Sequence, residues 1–443
     1  MTCEEVRDEL VAYARGELSP ERKAKVEEHL VRCAGCSKEL EGARRVMALA
    51  QVADELSTAR LANQLFAAAL TSGASDIHLE RVGADVRTRL RIDGVLREGP
   101  VITKDQYDPL VARMKLLGGM NLAERGVPQD GRIPYYNYEG KDYDFRIAVY
   151  PTIVGEGVVI RILDHSSVMI GLERLGLLPE MLEQIEAQAA RPRGIFLVVG
   201  PTGCGKTTTL YSMLKRINSP ERKIQTIEDP VEYQLPGVNQ LTVNQRAGLT
   251  FATALRAFMR HDPDVLLVGA IRDLEVAEGC ASAALTGHLV LTVLHTNDAP
   301  SALTRLVDMG LEPFVVAASV NAVLAQRLVR KVCAECKTEY APPPEALAYL
   351  GVNPEPGAPP ATFYRGAGCE KCRHTGYRGR TGIYELLVMD ERIKDLVVRR
   401  APLCEIREAA RAAGMRSLKE DGLGKAREGI TTVEEVFRAV AQA

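Results

Sequence analysis

The stretch from Gly194 to Tyr211, GIFLVVGPTGCGKTTTLY, constrains the fold of this chain more than any other. A short run rich in β-branched residues precedes a glycine-rich segment, and helix-forming residues follow it. Gly200, Gly205, Lys206 and Thr207 match the G-x-x-x-x-G-K-[ST] pattern of a phosphate-binding loop between a strand and a helix. The alternative is a chance glycine-rich turn, but the flanking strand and helix favour the phosphate-binding loop.

The residue types in this loop suit contact with phosphate. Glycines let backbone N–H groups close around the phosphates, the lysine reaches the β- and γ-phosphates, and the threonine hydroxyl binds Mg²⁺. The helix N-terminus adds a partial positive charge. We therefore expect a bound nucleoside triphosphate with Mg²⁺, held by Gly200, Pro201, Thr202, Gly203, Cys204, Gly205, Lys206, Thr207 and Thr208.

Length and composition indicate a globular protein of several domains. The 443 residues suffice for roughly two to four domains, each with its own core. A net charge of −2 gives no overall basic character that would indicate a nucleic-acid partner. No apolar stretch reaches the roughly 20 residues of a membrane span, and the N-terminus lacks the apolar region of a signal peptide. We therefore expect a cytoplasmic protein that does not bind nucleic acid.

The first 40 residues carry a C-x25-H-x3-C-x2-C pattern within helical sequence, formed by Cys3, His29, Cys33 and Cys36. The histidine and the second cysteine lie four residues apart, hence on one helix face, and the set suits tetrahedral Zn²⁺. Unpaired cysteines near a terminus are the alternative. We expect a helical zinc-binding module at residues 1–40 and a helical linker at residues 41–70.

A second set comprises two C-x2-C pairs, Cys333 with Cys336 and Cys369 with Cys372, separated by 32 residues. This spacing is typical of a structural zinc site. Seven of the ten cysteines thus have metal-ligand spacing, which suits a reducing cytoplasm better than a disulfide framework.

After the N-terminal module and its linker, the sequence predicts two α/β domains, at residues 71–165 and 166–443. The second domain includes a zinc insert at residues 333–372. Arginine recurs along the strands of the first, at Arg89, Arg91, Arg132, Arg146 and Arg161. Such arginines usually form solvated faces or local ion pairs, but in an oligomeric nucleotidase some reach a neighbour's phosphates.

Apolar strands separated by helices predict a parallel sheet in the second domain, with ligands at the carboxyl ends of the strands. One strand, KIQTIEDPVEY, ends in Glu228, Asp229 and Glu232. Another, TGHLVLTVLHTNDA, has His288 and His295 near its two ends.

Four motifs together resemble those of the secretion ATPases, the hexameric motors of type II secretion and type IV pilus assembly. GPTGCGKTTTLY, TIEDPVEY, RHDPDVLLVGAIRD and TGHLVLTVLHTNDA are similar to their Walker A, Asp box, Walker B and His box. This resemblance covers about residues 70–443. It implies an N2-type, PAS-like α/β domain on a RecA-like ATPase domain, assembled as a ring with ATP between subunits. The segment HLVRCAGCSKEL separately resembles the close of zinc-binding anti-sigma-factor domains.

The resemblance also implies roles for residues and partners. Glu228 and Glu232 look like metal and water ligands, and His288 and His295 like the phosphate-sensing and interface histidines, with a core histidine as the alternative for each. Arg132 and Arg146 are the candidates for arginines acting in trans. The implied partners are further copies of the chain, an inner-membrane platform protein that holds it peripherally at the membrane, and an unknown partner of the N-terminal zinc module. The tetracysteine set is typical of assembly and secretion motors and argues against a retraction motor.

Three departures from the family pattern matter. The first domain of the larger relatives is replaced by the zinc module. Cys204 stands where serine is usual; the helix N-terminus and Lys206 favour a reactive thiolate there, and a small residue filling the loop is the alternative. Ala270 stands where the Walker B glutamate activates water. The sequence therefore leaves two functions open, an ATP-driven motor or a ring that binds ATP and hydrolyses it poorly.

Overall fold

The computed structural model describes residues 1–83, 85–164, 170–352 and 362–441. The chain divides into two compact units, Met1–Leu163 and Asp164–Ala443. The domain boundary predicted at residues 165–166 lies outside the described residues, and so does part of the predicted zinc insert, residues 353–361.

The first unit begins with three helices, α1 (Cys3–Arg15), α2 (Pro20–Arg32) and α3 (Ala34–Ser72). A capping box between Thr2 and Glu5 starts α1, and Gly16 ends it in the left-handed conformation. Val6, Leu10 and Val26 form a small core with residues of α3. The predicted module boundary at residue 40 falls inside α3, so the module and the linker share one continuous helix.

A sheet follows α3 in the first unit. Its elements are β1 (Ala74–Val82), β2 (Asp85–Ile92), β3 (Val95–Glu98), α4 (Lys104–Leu117), β4 (Gln129–Tyr138), β5 (Lys141–Thr152) and β6 (Gly155–Asp164). Within the described residues the strand order is β3-β2-β1-β6-β5-β4. Asp93 and Gly94 both have positive φ, 48° and 84°, as a two-residue hairpin turn requires. Phe66, Tyr107 and Phe145 lie in the core between the helices and the sheet.

The first half of the second unit alternates strands with helices. Its elements are α5 (Pro179–Ala189), β7 (Gly194–Val199), α6 (Lys206–Ile217), β8 (Ile224–Glu228), β9 (Val238–Thr242), α7 (Phe251–Phe258), β10 (Val265–Val268), α8 (Leu274–Leu285), β11 (Leu289–Leu294), α9 (Ala299–Asp308) and α10 (Pro313–Ser319).

The second half carries the cysteine pairs and the C-terminal helices. Its elements are β12 (Val320–Val332), β13 (Lys337–Tyr340), α11 (Pro344–Tyr349), β14 (Phe363–Gly366), β15 (Tyr377–Val388), α12 (Glu391–Val398), α13 (Leu403–Ala412), α14 (Leu418–Arg427) and α15 (Val433–Ala441).

The main sheet of the second unit has the order β15-β12-β7-β11-β10-β8-β9 among the described residues. Its strands are parallel except for β15, which runs antiparallel to β12. Helices cover both faces, so the central strand β7 is buried along its whole length. The predicted α/β class with a parallel core is confirmed. In the part of the chain that the structure describes, every helix is too short or too polar to span a bilayer.

Candidate functional site

The glycine-rich loop between β7 and α6 has the backbone that its sequence predicts. Gly200, Gly203 and Gly205 have φ values of 145°, 79° and 91°, which side chains rarely adopt. A Cβ atom on Gly200 would lie 2.6 Å from the backbone oxygen of Gln326 and 2.7 Å from Sγ of Cys204. Glycine is therefore required at residue 200 for space as well as for conformation.

Lys206 turns back into this loop from the first position of α6. Its Nζ donates to the carbonyl oxygens of Gly200 and Pro201, both at 2.8 Å. Lys206 is 9% exposed, and burial lowers the pKa of its ammonium group, which lies among the loop carbonyls. The positive charge thus sits inside the loop, where phosphate oxygens are expected.

Acidic residues reach the same edge of the sheet, because β8 and β10 run parallel to β7 and end beside the loop. Thr207, Glu228, Asp229, Glu232 and Gly269 contribute to the walls of a cavity of about 90 Å³. A hydroxyl and several carboxylates are the oxygen ligands that Mg²⁺ prefers. The structure therefore brings three predicted residues, Thr207, Glu228 and Glu232, to one place.

Glu228 is buried, and other side chains hold it in place. Its carboxylate accepts hydrogen bonds from the hydroxyls of Tyr211 at 2.5 Å and Thr226 at 2.6 Å, and from Nε2 of Gln240 at 3.3 Å. Burial raises the pKa of the carboxyl group even though these donors oppose the rise. Because the donors fix its orientation, Glu228 offers a preorganised oxygen at the cavity.

Ala270 follows β10 by two residues and is buried at the same sheet edge, 7% exposed. Gly269 N donates to the carbonyl oxygen of Ile227 at 2.8 Å, which fixes the backbone just before the alanine. Two residues further on, Nη1 of Arg272 pairs with Asp229 at 3.0 Å. The backbone that carries the Ala270 methyl group is therefore held in place at the residue before it.

The two histidines lie at opposite edges of the sheet. His295 follows β11 beside the loop. Burial and the nearby Lys206 lower the pKa of its imidazole, although a hydrogen bond with the Gly200 backbone acts in the opposite direction. His288 precedes β11, and its Nδ1 lies 2.9 Å from the carbonyl oxygen of Ala283. The strand between them spans roughly 20 Å. His288 therefore lies at the amino edge, away from the loop of its own chain, and its role in phosphate sensing or at an interface stays a prediction.

Arg132 and Arg146 occupy directly paired positions on β4 and β5 in the first unit. Nε of Arg132 donates to Asp144 at 3.0 Å, and the Asp144 side chain is 1% exposed. More than half of the Arg132 side chain is nevertheless exposed. An arginine that is anchored on one side and open on the other remains a candidate for binding a neighbour's phosphate.

The tetracysteine set forms a compact cluster between β12 and β15. The Sγ–Sγ distances are 3.9 Å for Cys333–Cys369, 3.8 Å for Cys336–Cys372 and 3.7 Å for Cys369–Cys372. A tetrahedron with Zn–S bonds of about 2.3 Å has ligand separations of about 3.8 Å. Backbone N–H groups of Gly368 and Gly376 also donate to Sγ of Cys336 and Cys372, which stabilises thiolates. The cluster therefore fits Zn²⁺.

The N-terminal set is also assembled. Its four ligand atoms lie within 4.8 Å of one another, and Sγ of Cys3 is 3.8 Å from Sγ of Cys33. Nδ1 of His29 lies 3.1 Å from the carbonyl oxygen of Met1, which assigns the proton to Nδ1. Its Nε2 is buried and lacks a hydrogen-bond partner among the described residues. An imidazole held from behind, with its other nitrogen facing three cysteines, fits a Zn²⁺ ligand.

The prediction of a reactive Cys204 thiolate is wrong. The residue is 4% exposed, and burial raises the pKa of its thiol although Lys206 and Arg327 act in the opposite direction. Desolvation outweighs the nearby positive charges. Cys204 packs inside the loop as a small neutral side chain, which was the alternative.

Three buried residues behind the loop were not found from the sequence. Tyr211 is a donor to Glu228, Gln326 on β12 donates to the loop carbonyl of Cys204, and Arg327 on β12 donates to the carbonyl oxygen of Gln326. Tyr211 lies on the buried face of α6, four residues after Thr207, so its helical spacing was a usable signal. No comparable spacing in the sequence indicates that Gln326 and Arg327 lie at the site.

Comparison with known proteins shows to which family this chain belongs. A family model described as Type II/IV secretion system protein matches residues 51–438. The chain belongs to this family. A zinc-finger family model separately matches residues 3–37, which include all four N-terminal ligands.

Several curated members of the Type II/IV secretion system family are similar over most of this chain. The type IV pilus assembly ATPase PilB of Thermus thermophilus is 50% identical over 385 residues, 87% of this chain and 43% of that protein. The type II secretion system protein HxcR of Pseudomonas aeruginosa is 47% identical over 384 residues, 87% of this chain and 77% of that protein. The chain therefore spans less than half of the first relative and about three quarters of the second.

Solved structures in the comparison share the fold. The crystal structure of the pilus retraction motor PilT with bound ADP is 28% identical, with a TM-score of 0.57 over 84% of this chain and 94% of that one. The Legionella pneumophila ATPase DotB has a TM-score of 0.63 over 86% of this chain and 95% of that one. Its sequence identity is 20%, so this similarity is evidence for the fold only. The predicted RecA-like fold class is thereby confirmed.

Proposed function

We propose that this chain is an ATP-binding motor subunit that powers type II secretion or type IV pilus assembly. The observation that carries the proposal is the convergence of Thr207 and the Glu228, Asp229 and Glu232 carboxylates on one cavity at the carboxyl edge of the sheet, next to the loop that holds the Lys206 ammonium. The relatives named as pilus assembly and secretion proteins support the choice of process.

Different residues at the cavity bind the phosphates and the Mg²⁺ ion of MgATP. Loop N–H groups and the Lys206 ammonium hold the β- and γ-phosphates, and the α6 N-terminus adds its dipole. Thr207 and the carboxylates hold Mg²⁺, which neutralises developing charge on the phosphates. Glu228 keeps its orientation through Tyr211 and Thr226. Binding thus needs only groups that this chain has.

Hydrolysis additionally needs a group that orients and polarises the attacking water. The Ala270 methyl neither accepts a proton nor forms a hydrogen bond. Loss of such a group typically lowers the rate about 10²- to 10⁴-fold. The second candidate function is therefore a ring that holds ATP with very slow turnover and acts as a regulated scaffold, and Ala270 is the observation that favours it.

Ala270→Glu separates the two functions. We expect ordinary MgATP affinity in both proteins, by calorimetry, and a turnover about 10²-fold or more higher in the variant, by phosphate release. Lys206→Ala, which removes the phosphate-binding ammonium, is the control for background hydrolysis. Fast and equal turnover in the two proteins would assign the base to another carboxylate such as Glu228 and end the scaffold proposal. Absence of MgATP binding to the unmodified chain would end both.

The active form is proposed to be a homo-hexameric ring with ATP between subunits, in which Arg132 and Arg146 contact a neighbour's nucleotide and His288 lies at the subunit interface. The exposed side of Arg132 supports this role. Light scattering in saturating MgATP tests the mass of the assembly, and a monomer there would contradict it. We further propose a cytoplasmic location, a platform protein as the contact to the inner membrane, and a separate protein partner for the N-terminal module.

A further inference from the structure

Gln326 lies in the middle of β12, next to β7, with its side chain against the phosphate-binding loop. Its Nε2 donates to the carbonyl oxygen of Cys204 at 2.6 Å. Its Oε1 accepts from Oγ1 of Thr209, in the first turn of α6, at 2.8 Å. The residue is 2% exposed, so these bonds form away from water. One amide group therefore ties the end of the loop and the start of the helix to the neighbouring strand.

The backbone of the same residue borders the start of the loop. Its carbonyl oxygen accepts from Nη1 of Arg327 at 3.0 Å and is the atom that a Cβ at Gly200 would meet. Nη2 of Arg327 donates to the carbonyl oxygen of Asn297, after β11, at 2.9 Å. The start of the loop therefore lies against the backbone of β12, and its end is hydrogen-bonded to the same residue of that strand.

The bond to Cys204 determines the direction of a phosphate-binding group. The Cys204 carbonyl and the Gly205 N–H belong to one planar trans peptide and point in opposite directions. A carbonyl held toward β12 therefore holds the Gly205 N–H away from β12. Backbone N–H groups of such a loop are what bind the phosphates.

We propose that Gln326 is a positioning residue, which orients the Cys204–Gly205 peptide for binding the β-phosphate of the nucleotide. The inference rests on the proposed nucleotide-binding function, and it adds the residue that sets the loop geometry. It requires the amide as a donor to Cys204. The bond to Thr209 is secondary, because it does not act on the loop peptide.

The chain offers a matched control. Gln225 is a buried glutamine on β8 of the same sheet, 4% exposed, and its Oε1 has no hydrogen-bond partner among the described residues. Gln225→Leu therefore repeats the change of volume and polarity without touching the loop. Thr209→Val removes the second bond of Gln326 and keeps the first.

The test compares MgADP affinity of the full chain by calorimetry. Gln326→Leu should weaken MgADP binding about 10- to 100-fold, as expected for loss of a buried hydrogen bond that leaves the carbonyl unpaired. Gln225→Leu and Thr209→Val should each change it by less than about threefold. Adenosine has no phosphate, so its affinity, measured by competition against a fluorescent ADP analogue, should be equal in Gln326→Leu and the unmodified chain.

The outcomes separate the two proposals. No MgADP binding by the unmodified chain would refute nucleotide binding itself. Binding by the unmodified chain together with equal affinities in Gln326→Leu and Gln225→Leu would refute the role of Gln326 alone, and so would an equal loss of adenosine affinity, which indicates a general packing defect. If Gln326→Leu does not fold, Gln326→Met keeps the length of the side chain and has no group that can donate to the Cys204 carbonyl. It should show the same loss of MgADP affinity, and unchanged affinity would refute the inference.

Discussion

At the scale of the residue, burial changes the chemistry that the surrounding sequence suggests. Cys204 is two residues from a lysine and next to a helix N-terminus, both of which favour a thiolate. Inside the loop, desolvation outweighs them and raises the pKa of the thiol. Glu228 shows the same effect, since burial raises the pKa of its carboxyl group against three donors. Proximity along the chain alone therefore does not assign reactivity.

Cys204 should consequently resist alkylation. With a raised pKa, less of the thiol is ionised at any given pH, and the side chain is buried. Cys404, which is exposed on α13, is the internal control. Peptide mass spectrometry after iodoacetamide treatment at pH 8 should show Cys404 modified at least about tenfold faster than Cys204. Similar rates at the two cysteines would mean that the loop opens readily.

At the scale of the element, β12 organises the second unit. Its centre contacts the phosphate-binding loop through Gln326, and its end holds α15 through an ion-pair network. Glu435 on α15 accepts from Nη2 of Arg330 at 2.7 Å, from the Arg330 backbone N–H at 3.0 Å, and from Nη2 of Arg438 at 2.8 Å. Burial alone would raise the pKa of Glu435, but these arginines lower it to about 2.

Glu435→Gln should therefore destabilise the protein in a pH-dependent way. A carboxyl group whose pKa is depressed on folding stabilises the folded state above its unfolded pKa of about 4.5 and loses that contribution as pH falls toward 2. Urea unfolding should show a loss of about 3 kcal/mol in the variant, constant from about pH 7 down to pH 5 and shrinking below that.

Glu391→Gln is the control for this change, because Glu391 is an exposed residue paired with Lys394. Its substitution should leave the unfolding free energy essentially unchanged. If Glu435→Gln behaves in the same way at pH 7, the network does not anchor α15 to β12.

The same elements show what the sequence could predict. The phosphate-binding loop and both cysteine sets depend on spacing along the chain, and the structure assembles each of them. The edge at which His288 lies also follows from the sequence, because a residue before a parallel strand lies at the amino edge. The role of Gln326 could not be predicted from the sequence, because its contact with the loop depends on β12 lying beside β7 in the sheet. Sheet order arises from packing among distant segments, which no local pattern records.

At the scale of the whole molecule, the two units each contain one candidate zinc site among the described residues. The N-terminal site joins α1, α2 and α3, whose shared core is small. The tetracysteine site joins segments 36 residues apart at the end of β12. In both units a metal would join segments that are distant along the chain, and in the N-terminal module it would add to a small apolar core.

The full chain should therefore contain two zinc ions when purified without added metal, by elemental analysis. Cys36→Ser and Cys372→Ser should each contain one ion. Because structural zinc binding is linked to folding, Cys372→Ser should lower the melting temperature of the second unit, and Cys36→Ser should leave nucleotide binding unchanged. A single ion in the unmodified chain would show that one of the two cysteine sets does not bind zinc. The variant that then contains no zinc would identify the set that does bind it.

The length of β12 has a consequence for how this protein family diverges. Gln326 is bonded to the loop and Cys333, just beyond the strand, belongs to the tetracysteine cluster. Adding or deleting one residue between them would turn every later side chain to the opposite face of the sheet. Lineages descended from a common ancestor should therefore change this strand by substitution and keep its length. Insertions and deletions should accumulate instead between the paired strands β13 and β14, that is, between Tyr340 and Phe363.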